Sequence, residues 1–147
     1  MGLDMYLEGS QFISKYSDKE LLDNLSPFFN KEIGEIKRVN FEVMYWRKAN
    51  AIHKWFVDNV QEGKDDCGTY YVTDAVLTNL KDDIKQVLDD KTVADKVLPT
   101  QGGFFFGSTD IDDYYIETMQ KTYDRLEFIL NNKEIFKSID FHYTSSW

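Results

Sequence analysis

Arg38-Val39-Asn40-Phe41-Glu42-Val43-Met44-Tyr45-Trp46-Arg47-Lys48-Ala49-Asn50-Ala51-Ile52-His53-Lys54-Trp55-Phe56-Val57-Asp58-Asn59-Val60 changes its hydrophobic period partway along. At first Val39, Phe41 and Val43 alternate with Arg38, Asn40 and Glu42, the period of two expected of a half-buried strand. From Tyr45 onward, Tyr45, Ala49, Ile52, Phe56 and Val60 recur at helical spacing and make an apolar stripe. The pattern predicts a strand over 38–44 running into a helix over 45–60. Outward from it, Leu3, Met5 and Leu7 alternate with Asp4, Tyr6 and Glu8, a second strand over 3–8. A short helix is expected over 17–25, with Leu21, Leu22 and Leu25 turned inward and Ser26-Pro27 ending it, since the residue before proline avoids the helical region. Thr73 can cap a helix faced by Leu77, Leu80, Ile84 and Leu88. Asp110 can cap another that runs through Ile111, Tyr115, Thr118, Thr122, Leu126 and Ile129 to Asn131-Asn132. Ile139, Phe141 and Tyr143 close the chain as a strand. These elements predict an α+β fold in a single compact domain over 1–147. A small antiparallel sheet, with its first and last strands adjacent, packs with three or four helices.

Composition narrows the class. The chain has 147 residues, with 26 acidic and 17 basic side chains, for a formal charge of −9. Cys67 is the only cysteine, which excludes a disulfide scaffold. A generally acidic surface argues against direct nucleic-acid binding. No apolar run approaches the roughly 20 residues of a membrane helix. Met1 to Glu8 has neither the basic start nor the apolar stretch of a secretory signal, so a cytoplasmic location and no membrane partner are expected. The charge is uneven: residues 37–54 carry Lys37, Arg38, Arg47, Lys48 and Lys54 against Glu42 alone, whereas 65–117 hold 12 acids against 4 bases. The basic island either meets an anion or pairs with the acidic remainder.

On a helix, Trp46, Asn50 and His53 fall at i, i+4 and i+7 and share a stripe, with Arg47, three residues before Asn50, at its edge. An indole plane, a guanidinium, an amide and an imidazole on one face suit a flat, anionic ligand: Trp46 stacks, Arg47 and Lys48 meet the charge, Asn50 and His53 orient. His53 also has the chemistry of a general base. Read structurally, the same residues form a boundary stripe in which Asn50 and His53 satisfy neighbouring backbone groups.

A second segment, Leu98-Pro99-Thr100-Gln101-Gly102-Gly103-Phe104-Phe105-Phe106-Gly107-Ser108-Thr109-Asp110, brackets three phenylalanines with glycines ahead of a helix start. It reads either as a turn, a buried aromatic strand and a cap, or as a loop that lines a site through Gly102, Gly103, Phe105 and Ser108. It has neither the ending of a P-loop nor the spacing of a dinucleotide fingerprint. A reactive thiolate wants an electropositive setting, and Cys67 instead follows Asp65 and Asp66, which speaks against a Cys67/His53 pair. His53 and His142 are the only histidines, so neither a metal site nor a cofactor is expected.

The residues Gly2-Leu3-Asp4-Met5-Tyr6, the run Tyr45 to Phe56, Asp65-Asp66-Cys67, the run Leu98 to Ser108 and Ser145-Ser146-Trp147 resemble a family of small uncharacterised bacteriophage and prophage proteins. That resemblance implies a product acting inside an infected bacterium, of the accessory kind that often counters host defence. Three functions follow. One is a counter-defence binding module that captures an anionic, ring-containing small molecule such as a nucleotide signal, possible as a homo-oligomer with its pocket at an interface. Another is an acidic inhibitor of a host defence protein, with Asp82, Asp83, Asp89, Asp90, Asp112 and Asp113 imitating a phosphate backbone. The last is a phosphodiester hydrolase using His53.

Overall fold

The computed structural model describes residues 2–147. These form an α+β domain with a four-stranded antiparallel sheet and five α-helices. Strand β1 spans Asp4–Phe12, β2 Arg38–Arg47, β3 Thr69–Val72 and β4 Ile139–Ser146; the helices are α1 Lys19–Leu25, α2 Asn50–Asn59, α3 Asp74–Asp89, α4 Ala94–Val97 and α5 Asp113–Asn131. The sheet order is β2-β1-β4-β3. As expected, the first and last strands are neighbours, with Asp4 opposite Ser146 and Gln11 opposite Ile139.

Inward-facing residues of the strands, among them Met5, Leu7, Trp46, Phe141 and Tyr143, meet Ile52 and Phe56 of α2, Leu77, Leu80 and Ile84 of α3, and Met119, Leu126 and Ile129 of α5. Phe56 and Tyr143 stack at 3.9 Å. Burying such a side chain is worth about 1.5–3 kcal/mol, which makes this layer the main source of stability. The other sheet face carries polar side chains such as Glu8, Ser10, Asp140 and His142 around an open shelf.

The switch of period falls later than the sequence suggests. Residues 45–47 belong to β2, and the helix begins only at Asn50. A bulge at Val43 explains the difference: Leu7 pairs with Met44 but Glu8 with Glu42, so β2 holds one extra residue. The slip disrupts the alternation near 43–44, and the i, i+4 spacing of Tyr45 and Ala49 imitates a helix start. Lys48, with φ of 54°, turns the chain from strand to helix.

Other boundaries also moved. Thr73 caps α3 by accepting from the Val76 N–H at 3.3 Å. The cap of α5 is Asp112, which accepts from the Tyr115 N–H at 3.0 Å, whereas Asp110 lies ahead of the helix. The residues 104–106 form a turn, not a strand, with Phe104 exposed and Phe106 buried. Val87 is fully buried on α3 and Leu88 only half-buried. Helix α1 has no fully buried residue: of the expected inner face, Leu22 and Leu25 are half-buried and Leu21 is exposed. Strand β3, whose Tyr70-Tyr71 pair lies in a four-residue run, was not anticipated.

Candidate functional site

A cavity of about 430 Å³ lies where the end of β2, the start of α2, the loop 98–110 and the start of α5 meet. Its lining includes the cations Arg47 and Lys48, the carboxylates Asp110 and Asp112, and the apolar surfaces of Tyr114, Tyr115 and Met119. Volumes of this order accommodate a small organic ligand. Ala49, Asn50 and Ala51 place the first turn of α2 in the lining, and no side chain caps that turn among the described residues. An uncapped helix start presents free N–H groups and the positive end of the helix dipole.

The N-cap position of α2 is Ala49, which has no side-chain acceptor, and Asn50 follows it as the first helical residue. Asn50 is buried, its Nδ2 donates to the Phe106 carbonyl at 3.0 Å and the Ser108 carbonyl at 2.8 Å, and its Oδ1 accepts from the Gln101 N–H at 3.0 Å. One side chain thus fastens both limbs of the loop that borders the cavity. Thr100 adds a bond to the Thr109 carbonyl at 2.9 Å, and Tyr115 one to the Leu98 carbonyl at 2.8 Å. Gly107, with φ of 85°, passes so close to Lys48 that a Cβ would stand 3.1 Å from the lysine side chain. Lys48 itself holds a left-handed backbone, a conformation that costs a non-glycine residue about 1–2 kcal/mol and concentrates at functional sites. Its N–H is fixed by the Leu3 carbonyl at 2.7 Å. Arg47 lies 4.0 Å from Asp4, and its carbonyl accepts from the Tyr114 hydroxyl.

Of the residues singled out in the sequence, Arg47, Lys48, Asn50 and Ser108 come together at this cavity. Trp46 does not: its side chain alternates into the core, and its Nε1 donates to Thr122 Oγ1 at 2.8 Å. The expected helical stripe of Trp46, Asn50 and His53 does not exist, because Trp46 is on a strand. Gly102 and Gly103 are exposed and lie outside the lining, and Phe105 offers its carbonyl to the Leu3 N–H at 3.0 Å.

His53 is fully buried. Its Nε2 stands 3.0 Å from Asp65 Oδ2 and its Nδ1 2.7 Å from the Tyr143 hydroxyl. A carboxylate only accepts, so Nε2 carries the hydrogen, and in the neutral ring Nδ1 accepts from Tyr143. Burial holds the Tyr143 phenol well above its usual pKa, consistent with a donor role. Asp65 also accepts from Trp147 Nε1 at 3.0 Å. Both imidazole nitrogens are occupied inside the protein, which leaves neither for a substrate in this arrangement. Four of the six acids of the phosphate-mimic reading, Asp83, Asp89, Asp90 and Asp112, have partners within the chain. Asp83 accepts from Trp55 Nε1 at 2.8 Å, Lys85 binds Asp89 at 2.8 Å, and Asp90 accepts from the Thr92 N–H at 3.0 Å. No cluster of three metal-ligating side chains occurs among the described residues.

The sequence reading missed Tyr114, Met119, Asp110 and Asp112 as cavity residues. Their only signal was proximity in sequence to the glycine-rich loop. No family model, curated protein or solved structure matches this chain.

Proposed function

We propose that the protein is a binding module that captures an anionic, ring-containing small molecule of the nucleotide class in the cavity between β2, α2 and α5. The observation that carries this reading is the convergence, in a cavity of about 430 Å³, of the uncapped start of α2 with Arg47 and Lys48. A phosphate there meets N–H donors and two cations. The ring lies against Tyr114 and Met119, taking the role first expected of Trp46. Asp110 and Asp112, in the same lining, favour a ligand that also carries hydroxyl or amino donors, and they disfavour a bare polyanion through repulsion. The resemblance to phage proteins gives this module its setting, the capture of a defence signal in the cytoplasm of an infected bacterium. Capture is favoured over turnover by His53 because both its ring nitrogens are engaged by Asp65 and Tyr143.

Isothermal titration against mononucleotides, cyclic nucleotides and short cyclic oligonucleotides tests the reading, with the ligand recovered afterwards for mass analysis. Binding by at least one class is expected, weakened about tenfold or more in Arg47→Ala, as for loss of a charge-assisted contact. The recovered ligand is expected intact. Silence across the panel, or equal affinity in Arg47→Ala, would sink the proposal, and a cleaved ligand would make the protein an enzyme.

A further inference from the structure

Between β1 and β2 the chain leaves the domain as an arm, residues 13–37, closed at its base by the Ile13 N–H bonding the Lys37 carbonyl at 2.9 Å. Beyond Ile13, none of its described residues is buried, yet it displays Phe28 at 80%, Phe29 at 58% and Ile33 at 85% exposure. At the same end of the sheet lies a second unpartnered apolar surface. It is a groove of about 290 Å³ bordered by Phe41, Ile135, Phe136 and Ile139, with no arm residue in its lining. Phe41, Ile135 and neighbouring Phe128 are 44%, 66% and 45% exposed. One chain therefore carries an arm without a core and a groove without a cover.

We propose that the arm of one copy seats in this groove of a second copy, reciprocally about a two-fold axis. Large apolar side chains offer roughly 150–250 Å² each, so reciprocal coverage of Phe28, Phe29, Ile33, Phe41, Phe128 and Ile135 on two copies removes on the order of 1,500 Å² from water. Stable, specific interfaces remove about 1,200–2,000 Å² in total. A two-fold exchange also closes on itself, so both apolar surfaces are satisfied without chain growth. Both signs of charge flank each surface, Lys31 and Glu32 among those on the arm and Glu42 and Arg125 at the groove, which permits crossed ion pairs at the rim. A membrane fits less well, because the arm holds five acids against four lysines and has no basic face for anionic lipid.

Sedimentation velocity on the purified chain tests the proposal. A dimer is expected by roughly 100 µM. Phe28→Asp combined with Ile33→Asp in the arm, or Ile135→Asp in the groove, is expected to weaken it about tenfold or more. These side chains are largely exposed, and an unchanged circular dichroism spectrum verifies that the variants fold. An equimolar mixture of the arm variant and the groove variant retains one intact arm–groove contact, so the mixed dimer is expected to form more tightly than either variant alone. A monomer throughout, a dimer indifferent to either variant, or a mixture no tighter than its components overturns the exchange; a groove variant that dimerises like the unaltered chain while the arm variant does not identifies arm-on-arm contact instead.

Discussion

Asn50 shows how a single side chain shapes the candidate site. Asn50, the first residue of α2, sends its amide across to three backbone groups of the loop 101–108, and Ala49 ahead of it has no side-chain acceptor with which to cap the helix. Replacing it by alanine strands two carbonyls and one N–H that are buried or half-buried, each at about 1–3 kcal/mol when unsatisfied. Allowing for partial access of water, Asn50→Ala is expected to lower unfolding free energy by about 3 kcal/mol in urea titration. A loss under 1 kcal/mol would mean that the loop is held by other contacts. His53 acts at the same scale, joining α2 to β4 through Tyr143 and to the loop after α2 through Asp65. The sequence marked Asn50 and His53 as special because polar groups sat beside an apolar stripe. It had no means of choosing between a ligand and the protein's own backbone as their partner.

At the scale of elements, the two helix starts at the cavity are managed differently. The start of α5 is closed by Asp112, and that of α2 is open. Removing an N-cap side chain costs about 1 kcal/mol, so Asp112→Ala is expected to lower stability by that amount in thermal or urea unfolding. Asp110→Ala is expected to leave stability within about 0.5 kcal/mol, as for an exposed surface change. Equal effects of the two would contradict the assignment of the cap. Both aspartates precede an apolar periodic run, and local sequence alone makes each a plausible cap; the path of the loop over Asn50 selects the second. The bulge at Val43 is a similar case. Nothing within β2 announces the extra residue, because it is defined by the register of β1 across from it. One misplaced residue there was enough to put Trp46 on the wrong kind of element.

Across the whole molecule, two buried phenols link stability to pH. Burial raises the pKa of Tyr143 and of Tyr115 well above the ordinary 10.0 of tyrosine. In the unfolded chain both ionise near that ordinary value, while in the folded chain they keep their protons. Their contribution is therefore fully present below pH 10 and is lost as pH rises from there toward the folded values. Urea midpoints are expected to be level from about pH 8 to 9.5 and to fall above 10. Tyr143→Phe is expected to flatten that fall while lowering the midpoint at pH 8, since His53 loses a partner. A midpoint that rises above pH 10, or a slope unchanged in the variant, would exclude this linkage.

What the sequence determined by itself is the layer structure. Hydrophobic period depends on which side of an element is dry, so it is written locally in Leu3-Met5-Leu7, in Leu77-Leu80-Ile84 and in Phe141-Tyr143, and from these the sheet, its helices and the pairing of first and last strands were legible. The charges of Arg47 and Lys48 were legible in the same local way, and both residues line the cavity. The tertiary structure alone decided the rest: that Trp46 faces Thr122, that Asn50 holds the loop, that His53 is sealed between Asp65 and Tyr143, and that Tyr114 and Met119 wall the cavity with Arg47 and Lys48. Each of these joins residues distant in sequence, and a polar side chain carries no local record of which remote partner will satisfy it.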